Sequence, residues 1–359
     1  MNNYIRRYGW FMSLYVVCAC TIWMLGLIIL PQLQMVEHSF WHLDRSQSEV
    51  IDRQIEDRYV DVQQLDSRLR RLKRELDATQ GDTGKTELLQ GDIDTAVEQR
   101  DQLYAQITEL EQKLQQPEKV YGLHNYQTLA DNELHRSIFI KTLWSSALVT
   151  LVALLVCYPT AFYLAQLAPK ERAAMLMVAL LIPYWVNELL RTLAWLMILS
   201  YQGFANSVLS WLGLISEPIL FMQGNTGVML GMTYAYILFM VFPMYNTIET
   251  LDKNQLEAAR DLGASWWRIH WRIVIPHAKP GIAVGCIMTF MLTAGSYAVP
   301  QLLGGTNSLW FTQIIYDWFF NGGNWNQGAA YAMVLLVLCV CFIQLMMRVF
   351  KVSLEDIAK

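Results

Sequence analysis

Apolar residues gather along the chain in six long runs separated by polar stretches. About 20 mostly apolar residues in a helix cross the hydrocarbon core of a bilayer. The runs fall at about 10–30, 138–167, 173–199, 227–248, 281–299 and 329–349, and each is predicted to be a membrane-spanning helix. Pro31 is expected to stop the first, and Pro159 and Pro183 lie inside the second and third. Arg6 and Arg7 precede the first run as they would in a signal peptide. The run is roughly 21 residues, longer than a typical signal core, and no small-residue cleavage pattern follows. It therefore reads as a retained helix.

Between the first two runs the periodicity changes. Ile51, Ile55, Val62, Leu65, Leu69, Leu72 and Leu76 follow an alternating four-three spacing broken only by Arg58. Leu89, Ile93, Ala96, Leu103, Ile107, Leu110 and Leu114 repeat it, broken only by Arg100. Such spacing places an apolar stripe on one face of a helix. Residues 78–85 carry two glycines and no stripe, which suits a turn. The expected element is an antiparallel coiled-coil hairpin, each arm about 26 residues and roughly 40 Å long. The fold class is thus all-α and polytopic. The expected divisions are 1–36 for the N-terminus and first helix, 37–136 for the hairpin insertion, 137–350 for a five-helix core and 351–359 for a tail.

Composition supports this division. Apolar residues make up 54% of the chain and charged ones only 16%, against about 25% in soluble domains. Half of the charges sit between Arg45 and Lys119, where acidic residues outnumber basic ones by 17 to 12. The net charge of -4 offers no basic field for nucleic acid. All six cysteines, Cys18, Cys20, Cys157, Cys286, Cys339 and Cys341, fall inside apolar runs, so they read as small helix residues rather than disulfide or zinc partners. The hairpin stretch from Gly81 to Thr86 looks like a phosphate loop but has two residues between its glycines where that motif needs four.

Orientation follows from basic residues in the short loops. Arg6, Arg7, Lys170, Arg172, Lys253, Arg260, Arg268, Arg272, Lys279, Arg348, Lys351 and Lys359 all fall on one side. The opposite short loops, 200–226 and 300–327, hold no Lys or Arg. Both termini are therefore expected in the cytoplasm, with the hairpin outside.

The cytoplasmic loop at 251–280 carries the most specific pattern. Asp252 or Asn254 caps a first short helix, Gly263 fits a left-handed helix end, and Ser265 caps a second helix expected to stop near Pro276. Glu257-Ala258-Ala259, then Gly263, then Ile273 and Ile275-Pro276, resemble the EAA loop of binding-protein-dependent ABC importer permeases, with Ile275 where the usual form has leucine. Further stretches, 190–195, 256–265 and 299–305, are similar to the spermidine/putrescine branch; permeases for opines, thiamine, iron or phosphonates share parts of them.

The resemblance implies a type I importer permease of the bacterial inner membrane. Glu257, Ala258, Ala259, Asp261, Gly263, Ile273 and Pro276 would then couple it to a separate ABC ATPase dimer. This chain itself would bind no cofactor, with ATP and Mg2+ on the ATPase. A second, different permease, a periplasmic solute-binding protein and membrane lipid are the other expected partners. The hairpin is then a docking arm for the binding protein or a partner subunit, or else a spacer or a seam for another copy. A polyamine path calls for aromatic faces and acids, which makes Trp185, Glu188, Trp195, Tyr297 and Asp317 candidates. Glu188 and Arg191 stand three apart and are expected to pair with each other; the carboxylate is otherwise a candidate for solute contact. An ion-driven carrier is the competing class. It calls for mid-membrane carboxylates or broken helices, and Glu188 is the one clear intramembrane acid in the sequence.

Overall fold

The computed structural model describes residues 9–43, 46–78, 83–115, 119–305 and 308–353. Arg6, Arg7, residues 79–82 of the predicted turn at 78–85 and Lys359 lie outside the described residues, and the rest of that turn belongs to the flanking helices. The chain divides into two compact units, Phe40–His124 and the remainder, Met1–Ser39 with Asn125–Lys359.

The regular elements of the larger unit are all helices among the described residues. Four helices are long and apolar enough to cross a bilayer: α1 (Trp10–Ser39), a second at Glu133–Leu167, a third at Trp266–Ala294 and a fourth at Trp325–Phe350. Two bent pairs meet the same test together. Lys170–Trp185 and Glu188–Trp211 meet at 94°, and Thr226–Ala235 and Ile237–Glu249 at 42°. Counting each pair as one span gives six.

Two prolines expected to stop helices do not. Wide π-type turns occupy Leu25–Ile29, Tyr163–Leu167 and His270–Val274. Each is followed, after one intervening residue, by a proline: Pro31, Pro169 and Pro276. Proline has no amide hydrogen and its ring crowds the carbonyl four residues back. A π turn widens the ladder by one residue at that point and relieves the crowding. So α1 runs past Pro31 to Ser39, and the helix begun at Trp266 passes Pro276 and Pro280 to Ala294. The second loop helix and the fifth predicted span are therefore one element, and that span ends at Ala294 rather than near 299. After Pro169 the outcome differs: Ala168 is extended, the conformation preferred before proline, and a new helix starts at Lys170.

The core is built by close helix contact. On Trp266–Ala294 a Cβ added to Gly281 would lie 2.3 Å from the Pro243 carbonyl oxygen, and one on Gly285 would lie 2.8 Å from Met240 Sδ. Small residues four apart let helices approach this closely within a membrane. Beneath the 251–280 loop, Leu251, Leu256, Ile269 and Val274 join Cys157, Phe162, Met244 and Ile248 in one buried cluster. Cys157 and Cys286 are buried free thiols.

The smaller unit holds two 33-residue helices, Ser46–Ala78 and Thr83–Gln115, longer than the stripe suggested. The stripe is their contact face: Val62, Leu69, Ala96 and Ile107 are buried, and Ile55, Leu65, Leu72, Ile93, Leu103 and Leu110 are half-buried. Tyr59 donates to Glu111 at 3.3 Å, a pairing that fixes the helices antiparallel. Arg100, at the break in the second stripe, turns to Asp101 at 2.8 Å. At the base, strands Trp41–Leu43 and Lys119–Tyr121 pair antiparallel, with Lys119 Nζ 4.5 Å above the Trp41 ring.

Candidate functional site

The loop at 251–280 opens with a short helix, Lys253–Asp261. The Asp252 side chain caps it, accepting from the Asn254 amide at 3.0 Å. Its far end is a Schellman motif. The Ala264 amide donates to the Ala259 carbonyl at 3.0 Å and the Gly263 amide to the Arg260 carbonyl at 2.8 Å. Gly263 has φ 75, the left-handed region that suits glycine. A Cβ there would meet no atom within 4 Å, so backbone conformation alone selects glycine within this chain.

The short helix has two faces. Leu256 is buried and Ala259 half-buried against the cluster below. Glu257, Ala258, Asp261 and Leu262 are exposed, Leu262 at 88%. Across the glycine turn Ile273 packs on the same cluster, while Pro276 lies exposed in the first turn after the π turn. The two limbs are tied by Arg260, 5.5 Å above the Trp266 ring. Trp266 in turn stacks edge-on with His270 at 4.5 Å, and His270 Nδ1 lies 2.6 Å from the Tyr158 hydroxyl. The sequence candidates of this loop are thus brought together, and a polar and aromatic chain carries on from them to the helix at Glu133–Leu167.

The pathway candidates fall into two groups. Tyr297 stacks on Tyr316 at 4.5 Å, beside Asp317, whose carboxylate accepts from Asn321 at 2.8 Å. The other group lies at the two broken spans. Trp195 meets the Tyr234 ring at 5.2 Å, and Trp185 is 80% exposed. Glu188 and Arg191 do not form the expected pair. Glu188 accepts a hydrogen bond from the Tyr236 hydroxyl at 3.4 Å. The Arg191 guanidinium lies 4.4 Å above the Tyr184 ring. The reason is the break at 186–187: Glu188 opens a new helix, while Tyr184, on the preceding limb, offers its face to the cation.

Tyr184 and Tyr236 were not picked out from sequence. The Tyr184 hydroxyl donates to the Tyr234 carbonyl at 3.1 Å and accepts from the Leu238 amide at 3.3 Å. In an unbroken helix those two backbone groups would bond each other. An inserted side chain is one established cause of a helix break. Pro183, beside Tyr184, was the available signal, since it marks where the third span must open.

Residues 140–351 match the family described as "Binding-protein-dependent transport system inner membrane component". This chain is a member of that family. The spermidine/putrescine transport system permease protein PotB of Escherichia coli K12 is 38% identical over 218 residues, 61% of this chain and 78% of PotB. PotB of Haemophilus influenzae is 34% identical over 229 residues, 64% and 79% of the two chains. A chain of a bacterial alginate ABC transporter, solved in complex with an alginate pentasaccharide-bound periplasmic protein, superposes with a TM-score of 0.56 at 19% identity. The match covers 65% of this chain and 85% of that one. Broken helices are also a mark of ion-driven carriers, but membership of this family assigns the permease to the binding-protein-dependent importers instead.

Proposed function

We propose that this permease is one half of the membrane pathway of an ATP-driven polyamine importer. The observation that carries the reading is its 38% identity to a permease named for spermidine and putrescine, spanning 78% of that protein. In this reading the six spans place both termini and the 251–277 loop in the cytoplasm. The Phe40–His124 unit is a periplasmic coiled coil. The exposed Glu257, Ala258 and Asp261 sit in a cleft of an ABC ATPase dimer, where a carboxylate makes charge-assisted bonds. A second permease completes the pathway, and a periplasmic binding protein delivers the solute.

Glu188 fits the pathway on physical grounds. It is exposed on this isolated chain, in a broken span whose residues are mostly apolar. A carboxylate at that depth does not face lipid without large cost, so it faces the solute path or the partner permease. Reconstituting the permease with its ATPase, partner permease and binding protein tests the proposal. Vanadate-sensitive, ATP-dependent uptake of labelled spermidine is expected. ATP-independent uptake, or none of spermidine or putrescine, would overturn it.

A further inference from the structure

The two broken spans are fastened to each other through their breaks. From the third span, Tyr184 inserts its hydroxyl into the gap of the fourth, between the Tyr234 carbonyl and the Leu238 amide. From the fourth, Tyr236 stands at the break itself and reaches back to Glu188, the first residue after the break in the third. Each span therefore supplies a hydroxyl that bonds the other at or beside its break: Tyr184 to the backbone, Tyr236 to a side chain. Tyr236 is buried in a cluster against which Leu292, near the end of the helix Trp266–Ala294, packs.

The charges around this crossing are unbalanced in a specific way. Arg191 rests on the Tyr184 ring instead of on Glu188, and its Nη1 is buried with no hydrogen-bond partner. The Glu188 carboxylate is left with a neutral hydroxyl at 3.4 Å, a long bond for oxygen donors. An alkylammonium group would bring a full positive charge to the same carboxylate, at the roughly 2.7–2.9 Å typical of bonds in which both partners are ionised. The exchange therefore favours the cation.

We propose that Glu188, Tyr236, Tyr184 and Arg191 form a latch between the two broken spans, and that an ammonium group of the solute opens it by taking Glu188 from Tyr236. The idea rests on the polyamine reading for the identity of the cation. Opening frees Tyr236 and, through its packing with Leu292, the end of the helix that begins at the glycine turn of the cytoplasmic loop. The solute thereby reports its arrival to the face that meets the ATPase.

The assembled transporter in lipid nanodiscs provides the test, read by ATPase rate and by amide hydrogen exchange at Leu238. Tyr236→Phe removes one hydroxyl and unlocks the crossing without solute. Its ATPase rate without spermidine should rise, and exchange at Leu238 should quicken about fivefold, the worth of roughly one hydrogen bond. Tyr184→Phe should quicken the same amide. Glu188→Gln still accepts from Tyr236 but carries no charge, and should lose about tenfold or more of the response to spermidine-loaded binding protein. Tyr236→Phe matching wild type in both readouts would overturn the latch, as would a Glu188→Gln variant that responds normally. Wild-type protein that ignores spermidine would instead overturn the polyamine reading, and the exchange measurement would still decide the latch.

Discussion

Two glycines illustrate how differently one residue type is constrained. At Gly263 the space around a Cβ is open and the backbone is left-handed, so an L-residue there costs about 1–2 kcal/mol, least for asparagine. Gly263→Val is expected to cut uptake at least about tenfold, a loss of that size, while Gly263→Asn keeps most of it. Equal loss in both would place the requirement in the space the ATPase fills. At Gly281 the backbone is ordinary and the space is not. Its Cβ would collide with a backbone oxygen that has no freedom to move, whereas Gly285 faces a flexible Met240 sulfur. Thermal unfolding of the purified complex should therefore fall more for Gly281→Ala than for Gly285→Ala. The Gly263 conformation was legible in sequence, because a glycine closing a run of helix formers has a local meaning. The Gly281 contact was not, because it depends on where Pro243 lies across the interface.

At the scale of elements, hydrophobic length located the apolar spans and heptad spacing located both long helices. Both signals are periodic and belong to one segment. What escaped was the behaviour of prolines. Pro31 and Pro276 read as stops, since a proline within a regular ladder is one; a preceding π turn makes each of them passable. The pairing expected of Glu188 with Arg191 failed for another reason: both lie on the helix Glu188–Leu199, where spacing permits the pair, but tyrosines from other segments, Tyr236 and Tyr184, engage the two side chains instead. In the smaller unit, Gly91 lies exposed in the middle of a helix with nothing near its missing Cβ. Gly91→Ala should stabilise that unit by about 0.5–1 kcal/mol, measurable as a higher urea midpoint of unfolding. Removing residues 48–116 and joining the ends should leave the larger unit inserted and folded. If the hairpin docks the binding protein, that deletion weakens receptor binding and uptake. Unchanged binding and uptake would leave it a spacer.

For the whole molecule, the family settles what the chain is, and its geometry suggests how solute and ATP communicate. Tyr158, His270, Trp266 and Arg260 connect the second span to the loop. Breaking that chain with Tyr158→Phe should uncouple the transporter modestly, raising the ATP hydrolysed per solute imported. An unchanged ratio would show that the aromatic packing suffices without the hydroxyl.

The helix Trp266–Ala294 has 29 residues, and at about 1.5 Å per residue it is roughly 43 Å long. It starts just after the glycine turn and runs helically to Ala294, through the π turn at His270–Val274 and past Pro276 and Pro280. A rod of that kind transmits displacement in either direction without storing it. A stroke of a few ångströms delivered at its loop end must arrive largely intact at the far end, so the timing of the two events is set by a stiff linkage rather than by diffusion between separate parts.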